Sequence, residues 1–436
     1  MRSNKINIIL LLSFLLKIVW IKYIEYWPTM DAESYLRTAK SIIEGNFPDI
    51  YWPVGYGFFL SIFYPFKSIF LFKVLNSILS TFASYFIIKI SEIIYKNSSV
   101  IISVAIAFFP ESIFYCSTLW SETFFLFLLS ASIYFQLKEN YYKSGILYSL
   151  QFFVRPVSIF LPFLIRFYIQ KKKEINTTLF LTRILLPIFL FHFTWSVILY
   201  NKMEKLVFVS TNGPTNLFIG NNPKATGHYD EDGLLFASQQ NINSKNYIKY
   251  VIDYWIVNYY ELPILFSKKI YFLIFGETRE FKASSAMAIH HLSKIPKILT
   301  KEQYNKIFDK ISEKYLLEKG YKLTNNYFYL NPVLTDLEKS QLAHSVLYTF
   351  EANYDTEDNH ILLANISTMM ILYTILSSFI FVLYKGLRQD KFILIPIYFI
   401  LFYTIFFGSP RYLYPVYPFF ILYSLNSTKI IKRHIK

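Results

Sequence analysis

The chain has 436 residues, of which 54% are hydrophobic, 20% aromatic and 17% charged. An ordinary soluble domain carries about a quarter charged residues, so this composition excludes that class. The net charge of +15 does not indicate a nucleic-acid surface, because residues 201–360 hold eighteen Lys plus Arg and eighteen Asp plus Glu. The positive excess lies in the apolar parts and their short connections, which is typical of cytoplasmic loops in membrane proteins.

The first apolar run, residues 6–26, is long enough to cross a bilayer, and no small-residue cleavage site follows it. We therefore expect a retained membrane helix. Residues 31–45 then carry apolar side chains at the spacing of an amphipathic helix that ends at Gly45. This helix is too short and too charged to span, so we expect it on the outer membrane surface. Residues 50–66 combine aromatic residues with Pro and Gly and are expected to be irregular.

Further spans are predicted near 70–90, 99–115, 118–137 and 177–200, with a turn around residues 111–122 on the outer side. Residues 144–170 are too few for two crossings of roughly 20 residues each. A pair of short helices that turn at Arg155-Pro156 fits this segment better.

Residues 201–360 are polar and electrically neutral, and we interpret them as one extracytoplasmic domain. The domain opens with a turn-rich run at 210–229, and helical spacing predicts helices within 246–276 and 292–319. Three last spans are predicted near 361–384, 392–408 and 413–427, which gives about ten crossings. The organisation is thus an N-terminal membrane module (1–200, with a first outer loop at 27–66), the outer domain, and C-terminal membrane helices (361–436).

The order of several motifs resembles the GT-C superfamily of integral-membrane glycosyltransferases, in the branch of protein O-mannosyltransferases and aminoarabinose transferases. The features that carry the resemblance are Asp31 with Tyr35 and Ala39, Trp52-Pro-Val-Gly-Tyr56, Ser121-Glu122, Arg155-Pro156, the run Gly220–Gly227, and Pro410-Arg411-Tyr412. The resemblance implies an all-α GT-C-like bundle in the cell membrane. It implies transfer of a sugar from a polyprenyl-phosphate donor to a lipid, glycan or protein acceptor of the cell envelope, with no nucleic-acid partner.

The resemblance assigns the general base to Asp31. A carboxylate within hydrogen-bond reach of an acceptor hydroxyl can take its proton during attack on the anomeric carbon. Direct displacement with one carboxylate would invert that carbon. Asp is also a favoured helix N-cap, which is the alternative role of Asp31. Ala32 stands where the protein mannosyltransferases have a second acid, which argues against that subgroup.

Arg155 and Arg411, with Tyr412, are the candidate ligands of the donor phosphate, because cations stabilise the charge that develops on a leaving phosphate. Snorkelling or a structural ion pair is the alternative for each arginine. Glu122 is a second acidic position that orients substrate, pairs with an arginine or holds a divalent cation; simple loop solvation is its alternative. No cofactor is assigned, and a divalent cation is the one metal considered.

Two other functions fit the same sequence features. A flippase or transporter of lipid-linked sugars, or a surface-polysaccharide polymerase or ligase, would also need arginines near a membrane cavity. The early acidic residue at the outer face favours the glycosyltransferase over both. Lys268 and Lys269 are predicted either to meet lipid headgroups at the outer interface or to lie on a solvated face.

Overall fold

The computed structural model describes residues 2–23, 31–95, 100–170, 176–230, 232–275, 298–300, 321–324, 327–330, 369–371, 373–378 and 391–434. These residues are predominantly helical, which confirms the predicted fold class at its coarse level.

The first half of the chain consists of helices joined by short connections. In chain order they are α1 (Arg2–Tyr23), α2 (Asp31–Ile43), α3 (Gly55–Ser61), α4 (Ile69–Tyr95), α5 (Val100–Ala107), α6 (Pro110–Ser117), α7 (Ser121–Leu137), α8 (Tyr141–Val154) and α9 (Leu161–Gln170). A 3₁₀ turn at Tyr64–Phe66 precedes α4, and another at Pro156–Ser158 separates α8 from α9.

The second half begins with a long helix in which α10 (Thr177–Phe180), a π turn (Leu181–Leu185) and α11 (Leu186–Met203) are continuous. The helices that follow are α12 (Gly213–Ile219), α13 (Asp232–Gln239), α14 (Tyr247–Val257), α15 (Leu262–Phe275), α16 (Leu394–Thr404) and α17 (Tyr417–His434). Residues 369–371 and 373–378 are also helical. A 3₁₀ segment, Pro410–Val416, leads directly into α17.

Four helical segments of the described part are long and apolar enough to cross a membrane: Asn4–Lys22, Ile69–Tyr95, Val100–Ser117 and Thr177–Met203. Their outward faces expose large apolar side chains, for example Val19 and Phe189, as expected for surfaces that meet lipid. These segments indicate a membrane protein. The predicted spans at 118–137 and 392–408 correspond to the shorter apolar helices α7 and α16, and most of the span predicted at 361–384 lies outside the described residues.

Two local features that the sequence predicted are present: the amphipathic helix after Asp31 and the pair of short helices that turn at Arg155. Helix α2 begins at Asp31, ends at Ile43 and is followed by Gly45 with φ +73°, a backbone conformation that favours glycine. Residues 144–170 form α8 and α9, separated by the turn after Arg155. Both predictions are confirmed.

Other local predictions are wrong. Residues 50–66 are not wholly irregular, because α3 lies within them, and the turn-rich run at 210–229 contains α12. The turn expected around residues 111–122 is largely occupied by α6, which starts at Pro110 because proline suits the first position of a helix. The span expected at 99–115 is confirmed as the apolar segment Val100–Ser117, but this segment consists of two helices, α5 and α6.

A small antiparallel sheet lies within the region predicted to be helical. Its strands are β1 (Ile298–Thr300), β2 (Tyr321–Thr324) and β3 (Tyr327–Leu330), in the order β1-β3-β2. β1 falls inside the helix predicted at 292–319, so that prediction is wrong at these residues. The aromatic residues of β3 suit a pleated surface better than a helix. Predicted helices within 246–276 are confirmed by α14 and α15.

The main core lies between α1, α4, α6 and α7, with α16, α17 and the 3₁₀ segment before α17 packed against them. Large side chains such as Phe72, Phe125 and Tyr414 are fully buried there. This packing brings together helix ends that are distant in sequence. They meet where α7 begins, and the candidate site lies there.

Candidate functional site

Four charged side chains meet at the ends of helices. Asp31 is the first residue of α2, and Glu122 lies in the first turn of α7. Arg155 follows the last residue of α8, and Arg411 is the second residue of the 3₁₀ segment before α17. Helix ends are suitable places for polar side chains, because several backbone groups there have no partner inside the helix.

Proline explains the local backbone at both arginines. Arg155 precedes Pro156 and is extended, with φ −150° and ψ 108°. Ser409 precedes Pro410 and is extended in the same way, with φ −147° and ψ 129°. A residue before proline is driven out of the helical region by the proline ring. Each arginine therefore lies beside a break in regular helix, as its sequence context indicates.

Arg411 connects the two acidic residues. Its Nη2 donates to Asp31 Oδ2 at 2.5 Å, and its Nε donates to Glu122 Oε1. Arg155 Nη2 donates to the same Glu122 Oε1 at 2.5 Å. The side chains thus form one chain of contacts, Asp31–Arg411–Glu122–Arg155, which we call the ionic cluster.

The ionic cluster is largely buried and balanced in charge, with two carboxylates against two guanidinium groups. The exposed side-chain fraction is 0% for Glu122, 12% for each arginine and 18% for Asp31. Glu122 is therefore not a solvated loop residue, and that alternative is wrong. Asp31 is the most accessible member, so the cluster meets solvent at its Asp31 end.

The second carboxylate oxygen of Glu122 has a different environment from the first. This oxygen, Oε2, is buried and accepts no hydrogen bond from any described residue. A buried oxygen of this kind costs free energy comparable to a lost hydrogen bond. It is therefore a place where a bound hydroxyl group gains a partner.

Aromatic rings line the arginines. The Arg411 guanidinium lies over the Trp120 ring at 4.2 Å from the centroid, and that of Arg155 lies 6.0 Å from the Tyr412 centroid. Tyr412 in turn stacks on Tyr403 with centroids 4.8 Å apart. Such contacts favour the charged guanidinium and fix its plane.

Hydrogen bonds to Ser121 and Thr118 hold the helix ends that carry the acidic residues. Ser121 Oγ accepts from Arg155 Nε at 3.0 Å and from the Tyr35 hydroxyl at 3.1 Å. Tyr35 lies one turn after Asp31 on α2, so this bond ties the start of α2 to the start of α7. Asn76 of α4 donates to Thr118 O at 2.8 Å and supports the connection before α7.

The structure brings together every residue singled out from the sequence for the site. Asp31, Glu122, Arg155 and Arg411 are in direct contact, and Tyr412 lies against Arg155. Sequence reasoning missed Trp120 and Tyr403, and it quoted Ser121 in a motif without giving it a role. Trp120 and Ser121 directly precede Glu122, so the position of the acid was a usable signal for them; Tyr403 offered none.

The described residues do not support a metal at Glu122. No three His, Cys, Asp or Glu side chains come together among them in a way that holds an ion. Glu122 is already contacted by two cations, which oppose a third positive charge at the same oxygen.

Lys269 lies apart from the ionic cluster and is not where the sequence placed it. Its side chain is fully buried, and Nζ donates to Asn221 Oδ1 at 2.7 Å and Ile405 O at 3.4 Å. Burial lowers the pKa of Lys269 from its ordinary value to about 7. The headgroup and solvated-face predictions are therefore wrong for Lys269, whereas Lys268 is exposed.

Comparison with known proteins gives no relative: no protein-family model, curated protein or solved structure matches this chain.

Proposed function

We propose that this chain is a membrane glycosyltransferase that moves a sugar from a polyprenyl-phosphate donor to an acceptor outside the cytoplasm. The observation that carries the proposal is the ionic cluster: a partly exposed carboxylate, Asp31, shares an arginine with a second, buried carboxylate. The part of the chain that the structure describes has four segments able to cross a membrane, which suits a substrate with a lipid tail.

Arg411 and Arg155 are the proposed partners of the donor phosphate. Both guanidinium groups are only 12% exposed, so their charges are weakly screened by water. Guanidinium groups suit phosphate oxygens because they present several donors in one plane. A phosphate that arrives at Arg411 competes with Asp31 for the N–H groups of the guanidinium. Binding of the lipid-linked sugar would thus release Asp31 for its role in the reaction.

Asp31 is the proposed general base. The acceptor hydroxyl gives its proton to the Asp31 carboxylate while its oxygen forms a bond to the anomeric carbon. The bond between that carbon and the phosphate oxygen breaks, and the lipid phosphate leaves with the electron pair. Direct displacement inverts the configuration at the anomeric carbon. Glu122 holds the two arginines in place and offers its free Oε2 to a sugar hydroxyl.

A turnover assay with matched aspartate variants tests the proposal. Purified protein is incubated with a polyprenyl-phosphate sugar and a cell-envelope extract, and free lipid phosphate is measured. Asp31→Asn keeps the size and shape of the side chain but cannot accept the proton, so we expect a rate loss of about 100-fold or more. Asp49→Asn is the control, because Asp49 is exposed and accepts from Tyr51 N at 2.9 Å, within its own loop.

Two results of this assay would contradict two different parts of the proposal. Full turnover by Asp31→Asn would contradict the assignment of the base. No consumption of any lipid-linked donor by the wild-type protein would contradict the glycosyltransferase itself.

A further inference from the structure

A second polar cluster lies at the end of α16, a few residues before Arg411. Asn221, which follows α12, is fully buried and donates through Nδ2 to Ile405 O at 2.8 Å and to Leu217 O at 2.7 Å. Its Oδ1 accepts from Lys269 Nζ at 2.7 Å and from Trp255 Nε1 at 3.1 Å. We call these contacts the Asn221 junction.

The two donors at Oδ1 set the orientation of the Asn221 amide. The indole N–H of Trp255 is a donor only, so it faces the amide oxygen, to which Lys269 Nζ also donates, and the NH₂ group is left towards Ile405 O. Four polar groups from α12, α14, α15 and the end of α16 are thereby satisfied at one residue. A buried amide with all of its bonding capacity used holds its neighbours in one arrangement.

Backbone contacts extend the junction towards Arg411. Gly408 N donates to Gly227 O at 2.8 Å. A Cβ on Gly408 would lie 2.2 Å from Lys269 O, and a Cβ on Gly220 would lie 1.8 Å from Phe406 O. The chain at 405–408 is therefore in direct backbone contact with α15 and with the run 220–227.

We infer that Asn221 is a positioning residue for Arg411: it fixes residues 405–408 and so sets where the Arg411 guanidinium meets Asp31 and Glu122. Only Ser409 and Pro410 separate this segment from Arg411. Pro410 has a fixed φ, so fewer backbone dihedrals lie between Gly408 and Arg411 to absorb a displacement of Gly408. The effect on catalysis rests on the proposed function; the effect on residues 405–408 does not.

The test compares Asn221→Asp with Asn222→Asp in the full chain. The carboxylate introduced by Asn221→Asp would still accept from Lys269 and Trp255, but it could not donate to Ile405 O and would place a negative charge against that carbonyl. Asn222 is a matched control: it is equally buried, and its Nδ2 donates to Phe218 O and Ile219 O within its own segment. Size-exclusion chromatography verifies that each variant is folded.

Hydrogen–deuterium exchange of the 405–412 amides is the first measurement. For Asn221→Asp we expect exchange about tenfold faster than in the wild type, the change that corresponds to losing one net hydrogen bond. For Asn222→Asp we expect faster exchange at 218–224 and unchanged exchange at 405–412. Equal exchange at 405–412 in all three proteins, or an equal rise in both variants, would overturn the inference.

Steady-state kinetics is the second measurement. Displacement of Arg411 weakens donor binding, so we expect Asn221→Asp to raise the donor KM about tenfold while Asn222→Asp does not. A purely structural role would lower the amount of active enzyme and leave KM unchanged, which contradicts positioning. If exchange changes as expected but the wild type consumes no donor, the junction stands and the proposed function fails.

If Asn221→Asp is not recovered in folded form, Lys269→Met takes its place, with Lys268→Met as the control on the exposed neighbour. Lys269→Met removes one of the two donors that orient the Asn221 amide. We expect faster exchange at 405–412 in Lys269→Met alone, and no difference between the two lysine variants would overturn the inference.

Discussion

At the scale of single residues, Glu122 is the acid that both arginines of the ionic cluster share. Its Oε1 accepts from both arginines, and the side chain is fully buried. The charge of Glu122 compensates two guanidinium groups that are themselves mostly removed from water. A buried charge that loses its partner is much more costly than an exposed one.

We therefore predict that Glu122→Gln destabilises the protein by about 3–5 kcal/mol, because Asp31 alone would face two buried cations. Thermal unfolding in detergent measures the change. Glu44→Gln is the control: the Glu44 side chain is 50% exposed and pairs with the equally exposed Lys40. Equal melting temperatures for the wild type and Glu122→Gln would show that the ionic cluster adds nothing to stability.

The residues of this cluster were predictable one by one, and an ion pair between Glu122 and an arginine was among the alternatives, but which acid pairs with which arginine was not predictable. Arginines beside proline in apolar surroundings stand out because a charge near membrane depth is costly without a partner. The partners are distant in sequence: Arg411 is 380 residues from Asp31 and 289 from Glu122. No periodicity in the chain relates such positions, so only the fold shows that Glu122 is shared by both arginines.

At the scale of elements, the close crossing of Gly220 and the end of α16 depends on the absence of a side chain. Gly220→Ala would place its Cβ 1.8 Å from Phe406 O, and backbone at both sides must then move. We predict a loss of about 1–3 kcal/mol, typical of overpacking. Gly213→Ala is the control, since nothing beyond its chain neighbours lies within 4 Å of its Cβ.

Thermal unfolding of the two glycine variants decides this prediction. Gly213→Ala is expected to lose less stability than Gly220→Ala, because its Cβ meets only the following Pro214 and no backbone of another segment. A Gly220→Ala protein as stable as the Gly213→Ala protein would show that the crossing is looser than described.

Elements with a strong local signal were predicted well. The amphipathic spacing after Asp31 and the proline after Arg155 both mark their elements without help from the rest of the chain. The break between α5 and α6 and the strand β1 were not predicted. Apolar runs of this kind suit a helix, two short helices or a buried strand equally well, and tertiary packing decides between them.

At the scale of the whole molecule, apolar helices surround a small polar centre. Helices α1 and α11 expose large apolar side chains outward, while α4, α7 and α8 pack at the centre. The ionic cluster lies where α2, α7, α8 and the segment before α17 meet. This distribution fits the proposed lipid-linked substrate. Its uncharged tail would lie against the apolar surface and its phosphate at the arginines.

Binding of a polyprenyl phosphate, the product of the proposed reaction, tests this account most directly. The lipid is titrated into nanodiscs that hold the wild type, Arg411→Gln or Arg37→Gln, and bound lipid is counted by native mass spectrometry. Arg37 is an exposed arginine of α2 and serves as the control. We predict one tightly bound lipid phosphate in the wild type and in Arg37→Gln, with affinity reduced about tenfold or more in Arg411→Gln. Equal affinity in all three proteins would contradict the assignment of the ionic cluster to the donor phosphate.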